Sequence, residues 1–81
     1  MSIPKVSIRQ VKAARALLGW SQSDLAARSG VSLPTLKRLE SADGELGGRS
    51  DTADKLLAAL SAGGIVFDLA AGAGPGVRLK A

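Results

Sequence analysis

Residues 20–40 read Trp20-Ser21-Gln22-Ser23-Asp24-Leu25-Ala26-Ala27-Arg28-Ser29-Gly30-Val31-Ser32-Leu33-Pro34-Thr35-Leu36-Lys37-Arg38-Leu39-Glu40. Two short helices separated by a tight glycine turn are written into this stretch. The first runs over Gln22–Ser29, with Ser21 as its cap and Asp24 three residues later, the spacing of a capping box. The second runs from Leu33 through Glu40, roughly to Ser41. Ser32 caps it, and Pro34 sits in its first turn, where a missing N–H costs little. Gly30 suits a left-handed turn because it has no Cβ to clash. Ala26 is small enough to let the helices approach closely. Val31 plugs the angle between them, and Leu25, Leu36 and Leu39 anchor both on a core. Any one of these features is a weak signal; all of them in this order specify the unit.

Upstream, Met1 to Val6 reads as a short arm. Ser7 stands three residues before Gln10, again a capping-box spacing, and opens an earlier helix. Ile8, Val11, Ala14, Leu17 and Leu18 recur at helical spacing, which leaves Arg9, Lys12 and Arg15 on the surface. Gly19 ends that helix. Downstream, Ala42 to Ser50 is a loop containing Gly44, Gly47 and Gly48. Asp51 and Asp54 place negative charge at the start of a fourth helix, favourable to its dipole. That helix continues through Leu56, Leu57 and Leu60 to Ala62, and Gly63 and Gly64 stop it. The period then changes to two: Ile65, Phe67 and Leu69 alternate with Val66 and Asp68, and Val77 and Leu79 with Arg78 and Lys80. Two short strands follow, joined by Ala70 to Gly76. An isolated hairpin is marginal in water, so these strands need the helices or another subunit. The expected organisation is a helical unit over residues 1–64 and a strand extension over 65–81 serving dimerisation.

With 81 residues the chain is expected to form one small unit that buries only about 60% of its unfolded surface. One Trp, one Phe and no Tyr leave the core to aliphatic side chains. The net charge of +4 favours polyanion partners, though simple solubility would also account for it. No Cys and no His exclude disulfides, thiol chemistry, histidine acid–base catalysis and Cys/His zinc sites. With seven carboxylates as the remaining candidates, neither an enzyme nor a cofactor or metal is expected. The glycine cluster Gly72-Ala73-Gly74-Pro75-Gly76 lacks the lysine and the strand-to-helix setting of a phosphate loop. No apolar run approaches the ~18 residues of a membrane span, and the N-terminal residues carry no signal-peptide core, so a cytoplasmic protein is expected.

The stretch Trp20 to Ser32, continued by Thr35-Leu36-Lys37-Arg38-Leu39-Glu40, resembles the Cro/lambda-repressor-type (XRE) helix-turn-helix family. The resemblance extends over about Val11 to Leu60. Family members usually have a glycine shortly after the glutamate; here Ser41 and Ala42 intervene and Gly44 comes later. The resemblance implies a mainly α fold: a four- to five-helix lambda-repressor-like DNA-binding domain, here with a short C-terminal β-hairpin. It implies that Leu33 to Arg38 present a recognition helix to the major groove of double-stranded DNA. Gln22 would then lie against the DNA backbone.

On helical geometry Leu33, Pro34, Lys37 and Arg38 fall opposite Leu36 and Leu39. Lys37 and Arg38 can donate to guanine edges or phosphates, while Leu33 and Pro34 offer only apolar contacts such as thymine methyls. The expected DNA-binding set is Gln22, Ser32, Leu33, Pro34, Thr35, Lys37, Arg38 and Arg49. Each has a plainer role open to it: Gln22 as a first-turn residue, Thr35 as a local cap, Lys37 and Arg38 as a solvated face. Trp20 is expected at a core or helix junction. Glu40 is expected to be structural, pairing with a basic side chain on a neighbouring helix. The functional expectation is a sequence-specific DNA-binding transcriptional regulator acting as a homodimer through its C-terminal strands. The alternative is an antitoxin-like or antiactivator module that uses the same fold to hold a protein partner.

Overall fold

The computed structural model describes residues 6–42, 50–68 and 76–80. Four helices, α1 (Ile8–Leu18), α2 (Gln22–Ser29), α3 (Leu33–Glu40) and α4 (Ser50–Ala62), precede two strands, β1 (Ile65–Asp68) and β2 (Gly76–Leu79). The fold is therefore mainly helical, with a short C-terminal antiparallel pair.

Local chemistry sets the helix boundaries. Both expected capping boxes form. Ser7 Oγ accepts from the Gln10 amide at 3.1 Å, and Gln10 Oε1 accepts from the Ser7 amide at 2.8 Å. The Ser21–Asp24 pair does the same at 3.0 and 2.9 Å. Gly19 and Gly30 close α1 and α2 with φ of 70° and 78°, the left-handed region that glycine enters freely.

Ile8, Val11, Leu25, Leu36, Leu56 and Leu60 are the largest fully buried side chains, drawn from all four helices. Ala14, Ala26 and Val31 join the same core, and Ile65 extends it into β1. Burying six such aliphatic side chains contributes on the order of 1.5–3 kcal/mol each before conformational entropy is subtracted.

The strands are docked on the helices: β2 packs on α1 and β1 on α4. Gln10 Nε2 donates to the Gly76 carbonyl at 3.0 Å, which ties the buried cap residue of α1 to the start of β2. In the antiparallel register Ile65 faces Leu79 and Phe67 faces Val77. The Lys80 amide donates to the Gly64 carbonyl at 2.8 Å, so hydrogen-bonded pairs alternate from Gly64–Lys80 onward. The backbone groups of Val77 and Leu79 consequently face the outer edge of β2.

Several expectations need correction. Val6, read as part of the arm, is buried in the core. Leu17, read as inward, is 46% exposed, because α1 turns its Ile8–Val11–Ala14 side to the core and Leu17 lies at the margin of that stripe. Arg15, read as a surface residue, is drawn into an interior ion pair described below. Leu33, read as exposed, is half-buried and packs against the core, since it lies next to Leu36 and Glu40 around the helix.

Candidate nucleic-acid interface

The surface begins with a serine. Ser32 Oγ accepts from the Thr35 amide at 3.3 Å and donates to Thr35 Oγ1 at 2.8 Å. This cap starts α3 immediately after the Gly30–Val31 turn and gives the Thr35 hydroxyl a local partner. Pro34 then enters the first turn without leaving an unpaired amide. Leu36 is fully buried, while Leu33 and Leu39 pack against the core, so α3 is pinned along one side. At about 100° per residue, Pro34, Lys37 and Arg38 fall within about a 100° arc on the opposite side, and all three are exposed. Ser32 is exposed beside them and Thr35 is half-buried.

Beneath this surface lies a polar knot. Glu40 is 4% exposed at the end of α3. Arg15 approaches it from α1 in a two-pronged pair, Nη2 to Oε1 at 2.7 Å and Nε to Oε2 at 2.8 Å. Planar guanidinium–carboxylate pairing of this kind fixes orientation as well as charge. The remaining Arg15 prong, Nη1, donates to the Trp20 carbonyl at 3.1 Å. Gln22 Nε2 donates to Glu40 Oε1 at 2.9 Å. Burial pushes the Glu40 carboxyl up, yet the bonds from Arg15 and Gln22 outweigh it and hold the group below the usual glutamate range. Glu40 is thus the partner of a basic side chain on a neighbouring helix, as the sequence suggested.

Gln22 is the first residue of α2 and is half-buried, with its amide partly committed to Glu40. The pattern of residues 20–40 gave no sign of that bond, because its partner lies 18 positions away. Asp24 is fully exposed in the same first turn. Its carboxyl is held below the ordinary value by the Ser21 backbone and hydroxyl, with Arg28 adding to the effect. Trp20 sits where a helix junction was expected: half-buried, against the core, with the Arg28 guanidinium 4.4 Å from its ring centroid. The structure brings Ser32, Pro34, Thr35, Lys37 and Arg38 together on α3, with Gln22 tied to the end of that helix. Arg49 lies outside the described residues.

A family model for the helix-turn-helix matches residues 11–61. The chain belongs to the Cro/lambda-repressor (XRE) type of helix-turn-helix proteins. The match spans α1 to α4 and stops before the strands, so the helix-turn-helix core is shared while the hairpin lies beyond the matched residues. Helix-turn-helix proteins of this kind are DNA-binding regulators. Comparison with curated proteins gives no match. No helix among the described residues is long and apolar enough to cross a membrane.

Proposed function

We propose that this helix-turn-helix protein is a sequence-specific, double-stranded DNA-binding transcriptional regulator of the cytoplasm and has no enzymatic activity. Its α3 enters the major groove. The observation that carries this reading is the exposed arc of Pro34, Lys37 and Arg38 on a helix pinned by Leu36 from behind and by the Ser32 cap in front. Lys37 and Arg38 contact guanine edges or phosphates, and Pro34 contacts thymine methyls. Ser32, Leu33 and Thr35 border the contact, Gln22 meets a phosphate, and Arg49 adds a backbone contact from the loop. Selection of bound sites from random DNA tests the reading, followed by titration of the selected site against salt. Log affinity should fall linearly with log salt concentration as counterions are released. A salt-independent affinity, or no enriched sequence, would count against it.

A single recognition helix reads only a few base pairs, and helix-turn-helix proteins commonly double this with a two-fold dimer on half-sites one turn apart, roughly 34 Å. The C-terminal strands support such a homodimer here. Phe67 and Val77 already pack on the protein's own core, whereas Leu79 is 46% exposed, and its backbone groups turn to the edge of β2 that β1 does not pair. An open edge is a template for a second strand. Leu79→Arg in the full chain should convert a dimer to a monomer in sedimentation equilibrium; a wild-type chain that stays monomeric at micromolar concentration removes this interface. The same exposed side chains, Leu79 and Leu17, also favour a second reading, in which a different protein docks there in the manner of an antitoxin or antiactivator.

A further inference from the structure

The Glu40 carboxylate is where α1, the α1–α2 turn, α2 and α3 meet. It receives Arg15 from α1 at 2.7 and 2.8 Å and Gln22 from α2 at 2.9 Å. Arg15 also holds the Trp20 carbonyl, two residues before Gln22. A carboxylate can only accept hydrogen bonds, so it dictates which end of the Gln22 amide turns inward: Nε2 must face Glu40. The amide's Oε1 and its second N–H are left for the outside.

We propose that Glu40 is a positioning residue for DNA recognition: aimed by Arg15, it fixes one orientation of the Gln22 amide before DNA arrives. This rests on the reading of the start of α2 as a DNA-facing element. A glutamine side chain free in solution loses rotamer freedom on binding. Ordering it in advance is worth roughly two- to tenfold in affinity. The arrangement also settles polarity, since a flipped amide would set its oxygen against the carboxylate. The negative charge of Glu40 does not oppose phosphate at this place, because the Arg15 guanidinium neutralises it from behind. The device costs the DNA-facing surface no residue: Glu40 is buried and touches DNA only through Gln22.

The test uses the full-length chain. In nitrogen-15 spectra the two Gln22 side-chain amide protons should shift as acid protonates Glu40, the one that faces the carboxylate the more. Affinity for the site selected by the wild type is then measured for Gln22→Ala, Glu40→Gln and the double variant, with circular dichroism confirming the fold. Each single change should weaken binding about two- to tenfold, and the double variant should bind no worse than Gln22→Ala. A Glu40→Gln loss that persists in full in the Gln22→Ala background would show a merely structural glutamate and overturn the proposal. Gln22 amide protons indifferent to the protonation of Glu40 would overturn it equally. Should Glu40→Gln not fold, Glu40→Asp carries the same cycle, because the shorter side chain keeps its charge but withdraws from Gln22; the spectroscopic test on the wild type requires no variant. A chain that binds no DNA sequence overturns the function proposed above and this inference with it, whereas a chain that binds but shows additive losses overturns this inference alone.

Discussion

A Cβ atom built on Gly63 would stand 2.8 Å from Cη2 and 2.9 Å from Cζ2 of Trp20. The indole therefore lies directly on the backbone at the end of α4, and Arg28 closes over its ring. Glycine is required here by contact with a neighbour, since Gly63 is not among the glycines with positive φ. Its role is thus more than the helix stop read from the sequence. The rigid ring is wedged against the core and Leu18 Cδ1 stands 3.1 Å away on the same site, so little can give.

Gly63→Ala should accordingly destabilise the protein. Overpacking typically costs about 1–3 kcal/mol, offset by about 0.4–1 kcal/mol from the stiffer unfolded chain. A lowered thermal midpoint is expected, and the same change made in a Trp20→Leu background should lose most of its penalty. Equal effects in both backgrounds would mean that the indole is not what glycine accommodates.

Gly30 presents the opposite case. Its φ is 78° and no atom lies within 4 Å of an added Cβ, so only the backbone resists substitution. Gly30→Asn should be tolerated better than Gly30→Val, because asparagine enters the left-handed region more readily than a β-branched residue. The valine variant should lose about 1–3 kcal/mol in urea unfolding. Valine proving as stable as asparagine would contradict this backbone account.

Glu40 makes stability depend on pH in one direction. Its folded-state carboxyl titrates below the ordinary 4.5, so the unfolded chain binds the proton first on acidification. The Arg15–Glu40 contribution is present in full above about pH 4.5 and is lost as pH falls through the lower folded value. Asp24, also lowered, acts in the same direction. The melting temperature of the wild type should decline in that acid window, and Glu40→Gln should flatten the decline without abolishing it. A Glu40→Gln variant with an unchanged acid slope would show that another group controls it.

Lys37 and Arg38 are exposed, so Lys37→Ala and Arg38→Ala should leave the circular dichroism spectrum intact. A side chain that reads a base edge should cost roughly 1–3 kcal/mol at the selected site and relax specificity at one position. One that meets only phosphate should weaken binding to all sequences alike and reduce the salt slope by about one. Unchanged affinity in both variants would remove α3 from the major groove.

Local signals in the sequence set the starts of α1, α2 and α3 and the ends of α1 and α2. The Ser7–Gln10, Ser21–Asp24 and Ser32–Thr35 bonds each span three residues, and the closures at Gly19 and Gly30 are equally local. Helical period placed Leu25 and Leu36 inward and Lys37 and Arg38 outward for the same reason. Tertiary structure alone decided which polar groups meet. Arg15 and Glu40 are 25 positions apart, Gln22 and Glu40 are 18, and Gln10 and Gly76 are 66. No local spacing encodes such a bond; it exists only once the helices have packed. Packing likewise drew Val6 and half of Leu33 into the core and left Leu17 and Leu79 in water, because periodicity gives the direction of a side chain but not where the neighbouring element ends.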